Sequence, residues 1–257
     1  MSLGGNKALT LCPHLLPTVV TMTSIELLGP VRVLQDGKEL ALGSARQRAV
    51  LAVLASHAGQ VVSRDAIIRA VWGEPEPASA ASNLHSYVSG LRRVLRTEVE
   101  SAPSGYVLRV GKDQLDVGRV ERLYWRGKAA RCPKEAEEAL TAALALWRGD
   151  ALQKVPGPWA DAERRRLAER RLQVLEELYR VKLRRGAHLE LIAELEHLVR
   201  MHPGRDVFVE LLMTALALAD RRAEALALYR EIRNPAPALR RLQAMVLAGE
   251  EVYVESA

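Results

Sequence analysis

The sequence SAASNLHSYVSGLRRVLR, residues 79–96, predicts an amphipathic helix in the first half of the chain. Its large apolar residues recur at spacings of four, three and four residues: Leu84, Val88, Leu91 and Leu95. At 3.6 residues per turn, this spacing places all of them on one face of an α-helix. We therefore expect this face to pack against a scaffold and the opposite face to meet solvent or a partner.

The segments on either side of this helix predict a small mixed domain. Residues 24–43 read as short strands joined by Asp36-Gly37, a dipeptide typical of tight hairpin turns. Ser44 and Ser63 are each followed by an apolar stripe at helical spacing, which indicates two N-capped helices. After residue 96, two strand-like runs surround a Pro-Ser-Gly turn at 103–105. Strands, three helices and a terminal hairpin are the plan of a winged helix-turn-helix.

The outer face of the predicted third helix carries short polar and cationic side chains: Ser82, Asn83, His85, Ser86, Ser89, Arg92, Arg93 and Arg96. The chain has no acidic residue between Glu76 and Glu98. A helix that enters the major groove of DNA needs donors and cations without carboxylates, which phosphate would repel. We therefore predict that this face contacts DNA; the alternative is an ordinary solvated helix.

Further DNA contacts are predicted outside this helix. Arg46, Arg48 and Arg64 lie at the starts of the first two helices, where they could hold phosphates. Three residues of the hairpin are predicted to lie over the neighbouring backbone or minor groove: Ser104, Gly105 and Arg109.

The second half of the chain predicts helices only. Residues 119–148 read as helix broken near Cys132-Pro133, and residues 160–185 as a long charged helix. Gly186 and Asp220 each precede a helix and are 34 residues apart, the period of tetratricopeptide (TPR) repeats. The arginine-rich run at 163–171 is predicted to be a solvated helix face with Glu–Arg pairs at a spacing of four residues.

The predicted fold is mainly α with a small β part. An N-terminal α+β winged helix-turn-helix is followed by an all-α, TPR-like helical repeat domain. The predicted divisions are a disordered extension over 1–21, the winged domain over 22–112, the helical domain over 113–250 and a tail over 251–257.

Composition narrows the function classes. The 257 residues carry a net charge of +6, shared equally between 1–110 and 111–257, so the local face rather than the total charge supports DNA binding. Two distant cysteines exclude a disulfide scaffold and a CxxC metal site. Residues 8–25 contain two prolines and make a poor membrane span or signal peptide, so we expect a cytoplasmic protein without membrane contact.

Motifs for catalysis are lacking in the sequence. It contains no phosphate-binding loop, GxGxxG, HExxH or GxSxG pattern, and its six histidines do not pair at metal-ligand spacing. We therefore predict no enzyme activity, no catalytic residue, no metal and no cofactor. The four tryptophans are predicted to anchor the core: Trp72, Trp125, Trp147 and Trp159.

Several motifs resemble one family of bacterial regulators. They occur in order as LGP at 28–30, LGSARQRAVLA at 42–52, VWG at 71–73, YVS at 87–89, LRR at 91–93 and GYVL at 105–108. In the second half, ALALWRG at 143–149, LLMTAL at 211–216 and AEALALYR at 223–230 continue the match. This pattern resembles the Streptomyces antibiotic regulatory proteins, the SARP transcriptional activators. The resemblance covers about residues 22–250.

The resemblance implies an OmpR-like winged helix fused to a bacterial transcriptional activation domain. It also implies binding to direct repeats near a promoter as a homodimer, contact with RNA polymerase holoenzyme, nucleoid association and activation of secondary-metabolite genes. The polymerase contact is expected in the helical domain and in the loop at 73–80, at Gly73, Glu74 and Glu76.

One position departs from the family pattern. Gly90 stands in the middle of the third helix where members usually carry a basic residue. Glycine there costs about 1 kcal/mol of helix stability relative to alanine. We expect its presence to remove a DNA contact.

Two other functions fit the same predicted fold. The helical repeats could bind a protein partner while the winged domain docks protein rather than DNA. A small-molecule sensor would instead need a closed pocket, which a sequence does not reveal. Replacing Arg92 and Arg93 with alanine is expected to abolish promoter binding only if the third helix reads DNA.

Overall fold

The fold begins with a small antiparallel sheet in the computed structural model, which describes residues 23–95, 98–250 and 252. The strands pair in the order β1-β2-β3: β1 Thr23–Glu26, β2 Arg32–Gln35 and β3 Lys38–Leu40. Asp36 and Gly37 have φ values of 49° and 78°, so the predicted hairpin turn is confirmed. The predicted extension and tail, except for Val252, lie outside the described residues.

Three helices and a second sheet complete the winged half of the molecule. Their bounds are α1 Ala45–Ser56, β4 Val62–Ser63, α2 Arg64–Trp72, α3 Ala80–Leu95, β5 Val99–Ala102 and β6 Gly105–Leu108. The hydroxyls of Ser44 and Ser63 accept hydrogen bonds from the first turns of α1 and α2, as predicted. The β5–β6 hairpin is called the wing below; β6 lies between β5 and β4.

The inner face of α3 is buried as the periodicity predicts. Leu84, Val88 and Leu91 are at most 1% exposed and pack with the apolar residues of α1 and α2. Because this face is buried, the opposite face of α3 points toward solvent.

The helical half follows after a single 3-10 turn, Lys112–Gln114. Its helices are α4 Asp116–Ala129, α5 Pro133–Leu144, α6 Pro158–Arg184, α7 His188–Met201, α8 Asp206–Leu218, α9 Arg222–Arg230 and α10 Pro237–Ala248. The first helices of the two repeats, α7 and α9, begin 34 residues apart, at His188 and Arg222. The predicted fold class, with its TPR-like second half, is confirmed. Within the described residues, no helix is both long and apolar enough to cross a membrane.

The two halves share their cores across the predicted boundary at residue 112. Leu152, Val155 and Ala160 are buried among the core residues of the winged half, whereas Leu28 is buried in the core of α4, α5 and α6. Three backbone hydrogen bonds join the same segments: Arg148 N to Leu28 O (2.8 Å), Leu152 N to Leu27 O (2.9 Å) and Gln153 N to Gly29 O (3.1 Å). The predicted boundary is therefore a change of element type and not a gap in packing.

A buried carboxylate at the start of α4 reinforces this junction. Asp116 is 1% exposed and accepts the amides of Leu27 (2.7 Å) and Leu28 (2.8 Å). The guanidinium of Arg148 lies 3.6 Å from the same carboxylate oxygen. Burial raises the pKa of Asp116 above its ordinary value, although these donors oppose the shift.

One tryptophan corrects the prediction that all four anchor the core. Trp125 on α4 is 60% exposed, with its ring edge-on to Tyr124. Tyr124 is half-buried against the core of α4, α5 and α6, so only Trp125 lies on the outer side of the helix, where hydrophobic burial does not decide the residue type.

Candidate nucleic-acid interface

The outer stripe of α3 consists of five exposed side chains: Ser82, His85, Ser86, Ser89 and Arg93. The hydroxyls of Ser82 and Ser86 donate hydrogen bonds to backbone carbonyls one turn earlier, at 3.0 Å and 3.1 Å. Their oxygens therefore still face solvent as acceptors. Asn83 is half-buried, and its amide donates to Ser79 Oγ (3.1 Å). The stripe is polar, cationic at one end and without carboxylates.

Arg93 supplies the cation of the stripe. Its side chain is exposed and forms no hydrogen bond or ion pair with any described residue. His85, two turns earlier, is likewise exposed. An unpaired guanidinium can donate two parallel hydrogen bonds to phosphate or to a guanine edge.

Arg92 is turned away from this stripe and holds the wing. Its Nε donates to Val99 O (3.0 Å) and its Nη2 to Ser101 Oγ (2.7 Å), while the guanidinium lies 5.9 Å from the Tyr106 ring centre. Arg92 therefore positions the wing against α3, and a direct DNA contact from it stays a prediction. Arg96 lies outside the described residues.

The predicted arginines of α1 and α2 occupy different environments. Arg46 is exposed and its side chain forms no hydrogen bond or ion pair with another described residue, whereas Arg48 donates to Gly43 O (2.7 Å). Arg64 reaches the wing: its Nη1 lies 3.4 Å from Pro103 O and its guanidinium 5.6 Å from the Tyr106 ring centre. Arg64 and Arg92 thus approach the same wing tyrosine.

The wing places its three predicted residues in three different ways. Ser104 is exposed at the turn, and Arg109 pairs with Glu100 at 2.9 Å. Gly105 is buried, and a Cβ atom there would lie 1.9 Å from Val62 O on the neighbouring strand. This corrects the prediction that Gly105 lies at the surface: glycine allows β6 to approach β4 closely.

The loop between α2 and α3 exposes Glu74 and Glu76. Gly73 begins the loop with φ 76° and is half-buried beside Pro158 at the start of α6. Gly157 lies against the last turn of α2, since a Cβ atom there would be 2.7 Å from Val71 O. The first turn of α6 therefore supports the base of this acidic loop.

Sequence reasoning missed Gln47, which is 8% exposed and donates from Nε2 to Tyr87 O on α3 (3.3 Å). A Cβ atom at Gly90 would lie 2.5 Å from this same nitrogen. Gly90 therefore faces α1, which corrects the view that glycine simply removes a DNA contact there. The capping pattern Ser44-x-x-Gln47 is visible in the sequence, but the partner on α3 is not.

A metal site finds no support in the described part of the chain, where no group of three or more His, Cys, Asp or Glu side chains could hold an ion. The candidate interface therefore rests on hydrogen-bond donors and arginine charge.

Comparison with known proteins assigns both halves to families. Residues 37–108 match the model described as "Transcriptional regulatory protein, C terminal", and residues 115–247 match "Bacterial transcriptional activator domain". The regulatory protein AfsR of Streptomyces coelicolor is 39% identical over 242 residues, which are 89% of this chain and 24% of AfsR. The transcriptional regulator RedD of the same organism is 31% identical over 89% of this chain and 71% of RedD.

The chain belongs to the SARP family of transcriptional regulators. The names of both matching families and of these relatives are those of transcriptional regulators. The SARP chain described here spans about a quarter of the length of AfsR. A solved structure of Mycobacterium tuberculosis EmbR in complex with a low-affinity phosphopeptide is similar over 91% of this chain and 67% of that chain, with 31% identity and a TM-score of 0.85.

Proposed function

We propose that this SARP protein binds double-stranded DNA by inserting α3 into the major groove. The observation that carries the proposal is the outer stripe of α3, which is exposed, free of carboxylates and ended by Arg93, whose guanidinium pairs with no described residue. The buried leucine face anchors the helix to the scaffold, while Arg92 and Arg64 hold the wing beside it. Such a helix and wing can read base edges and hold the backbone together.

The proposal extends to activation of transcription through RNA polymerase holoenzyme. Glu74 and Glu76 form an exposed acidic loop at one end of α3, and the start of α6 supports that loop. Acidic side chains there would repel DNA phosphate but suit a basic surface on a protein. The polymerase is the partner that the family implies for this surface.

The finer parts of the proposal rest on family resemblance. We propose that two copies bind direct repeats near a promoter, in a head-to-tail arrangement that lacks two-fold symmetry. The genes controlled would belong to a secondary-metabolite, or antibiotic, cluster, and the protein would act in the cytoplasm on the nucleoid. A footprint on the DNA next to such genes tests the target genes and the arrangement of the sites. A palindromic footprint would contradict direct repeats, and no protection there would contradict the target genes.

DNA binding is tested with the full chain and with duplexes that it selects from a randomised library. Arg93→Ala should weaken binding about tenfold and lower the salt slope by roughly one, because one phosphate contact is lost. Arg165→Ala is the matched control, since Arg165 is an exposed arginine of α6 whose side chain forms no hydrogen bond or ion pair with another described residue. If the two variants behave alike, α3 is not the DNA-binding helix.

Activation is tested separately from DNA binding. Glu74→Gln with Glu76→Gln should not weaken binding to the selected duplex, because it removes charges that repel phosphate, but it should reduce transcription from a promoter that carries the duplex sequence. Glu135→Gln, an exposed glutamate of α5, removes a charge far from the loop and serves as control. Full transcription by the double variant would refute the assignment of the loop.

A further inference from the structure

The side chain of Gln47 lies in a slot between two glycines. A Cβ atom at Gly43 would lie 1.8 Å from Gln47 Oε1, and one at Gly90 would lie 2.5 Å from Gln47 Nε2. Real Cβ atoms do not approach other heavy atoms this closely, so neither position accepts a side chain while the amide occupies the slot. We call this arrangement the glutamine slot.

Space, and not backbone conformation, explains these two glycines. Neither Gly43 nor Gly90 has a positive φ, so any residue could adopt their backbone geometry. Gly90 also stands inside α3, where glycine weakens a helix. Glycine at position 90 weakens α3, and the backbone there does not require it. Its presence is therefore explained by the room that it leaves for Gln47.

The slot ties the beginning of α1 to the middle of α3. Ser44 caps α1 and accepts the amide of Gln47 (3.3 Å), which fixes the backbone of Gln47. From there the side-chain amide donates to Tyr87 O (3.3 Å). The ring of Tyr87 in turn stacks on Trp72 at the end of α2, with ring centres 6.1 Å apart. The Gln47 amide thus joins α1 to α3, and the ring of its partner Tyr87 packs on α2.

The residues next to the slot belong to the outer stripe of α3. Ser89 precedes Gly90 directly and is exposed, and Arg93 follows it by three residues. A shift or rotation of α3 at Gly90 therefore moves both side chains relative to the groove. Base recognition is more sensitive to such a movement than phosphate contact, because hydrogen bonds to base edges are more strictly directional.

We propose that Gln47 is a positioning residue that sets how α3 lies against α1 and thereby which bases the outer stripe of α3 reads. This inference rests on the proposed DNA-binding function. It assigns Gly90 the role of admitting Gln47, and it predicts that residues 47 and 90 act as a coupled pair.

The test is a double-mutant cycle on the full chain with Gly90→Ala, Gln47→Ala and the double variant. The measured quantity is the ratio of affinities for the duplex that the wild type selects and for a random-sequence duplex. Gly90→Ala should lower this ratio about fivefold with an unchanged salt slope, because phosphate contacts persist while base contacts shift. The double variant should fall no lower than Gln47→Ala alone, since truncating Gln47 makes room for the new methyl group.

Gln60→Ala is the control, because Gln60 is an exposed glutamine of the winged half that follows α1 and lies outside the slot. If Gly90→Ala changes the affinity ratio by the same factor with and without Gln47, the inference is overturned, because the effects of independent sites are additive. So would an unchanged ratio in Gly90→Ala. A wild type that binds neither duplex refutes the DNA-binding function itself, and the positioning role falls with it.

A second variant covers the case in which Gly90→Ala fails to fold. Gln47→Met keeps the length of the side chain and removes the amide that bonds Tyr87 O. It should lower the affinity ratio about threefold while the melting temperature stays within about 5 °C of the wild type. An unchanged ratio in this folded variant would overturn the inference.

Discussion

Helices α3 and α6 both carry arginines, yet these cations have opposite surroundings. On α6, Arg164 donates to the carbonyls of Leu152 and Val155, and Arg170 pairs with Glu121. On α3, Arg93 extends from the helix without a partner among the described residues. The arginines of α6 mostly stabilise the fold, whereas the outer face of α3 leaves its charge available.

The comparison of α3 with α6 indicates that the neighbours of an arginine, and not the number of arginines, mark a nucleic-acid surface. Acidic residues are interleaved along α6, and Arg166 forms two hydrogen bonds with Glu163 at 2.7 Å and 2.8 Å. The predicted Glu–Arg pairing is thus observed, but at a spacing of three residues rather than four. Substitutions at both kinds of site test this contrast between charges that stabilise the fold and charges that face outward.

The largest effect is expected at the buried carboxylate of the junction. Asp116→Ala should lower the free energy of unfolding by about 3 kcal/mol, because the amides of Leu27 and Leu28 lose their acceptor and Arg148 loses a nearby charge. Urea denaturation measures the change. Asp113→Ala, which removes an exposed partner of Arg122, is the control and should cost less than about 0.5 kcal/mol.

A smaller effect is expected where Arg205 binds two glutamates of α6. Its guanidinium donates to Glu169 at 2.7 Å and 2.8 Å and also to Glu176, which is 8% exposed. Arg205→Ala should cost about 2 kcal/mol, mostly because Glu176 is left buried without its partner. DNA affinity should not change, and a large loss of affinity would contradict the contrast.

The same site predicts a pH dependence. Hydrogen bonds from Arg205 lower the pKa of Glu169 below its ordinary value. A lowered pKa in the folded state means that the pair stabilises the fold above the unfolded pKa, about 4.3 for a glutamate, and loses this contribution as the pH falls further. Melting temperatures between pH 7 and pH 3 should therefore fall less steeply in Arg205→Ala than in the wild type. Parallel curves would show that Glu169 does not contribute.

Within α3 itself, adjacent arginines should respond differently. Arg92→Ala should cost about 1 kcal/mol, because the carbonyl of Val99 and the hydroxyl of Ser101 lose a donor. Arg93→Ala should stay within about 0.5 kcal/mol of the wild type, since its side chain is exposed and forms no hydrogen bond or ion pair with a described residue. Chemical denaturation of both variants measures this, and equal losses would place Arg93 in the fold rather than at its surface.

The smallest effect is expected from releasing a paired cation in the wing. Glu100→Gln frees Arg109, whose Nε lies 2.9 Å from the Glu100 carboxylate, and removes a negative charge near the proposed DNA surface. Affinity for a random-sequence duplex should rise about twofold at low salt, with stability within about 0.5 kcal/mol. Glu135→Gln makes the same charge change on α5 and should leave affinity unchanged.

Local patterns predicted most of the secondary structure. Leucine spacing located α3, the serine caps located α1 and α2, and Cys132-Pro133 located the break between α4 and α5. Each of these signals acts within one or two turns of chain, which is why sequence alone can reveal them.

The features that sequence did not reveal depend on partners far along the chain. Arg92 and Arg93 are adjacent and chemically identical, and only the position of the wing separates their roles. Gln47 meets Tyr87 forty residues away, and Gly105 is explained by Val62 on another strand. Such contacts follow from tertiary packing, which periodicity and capping do not encode.

The shared core at the junction also sets rules for building hybrid regulators. A winged unit cut after residue 112 would leave behind Leu152, Val155 and Ala160, which fill its interior, and would bare apolar surface to water. A transferred segment that extends through the first turn of α6 would include these three residues and keep the core of the winged half complete. The unit that can be transferred to another regulator with an intact core is therefore longer than the winged half. A hybrid regulator should be joined at a point inside α6.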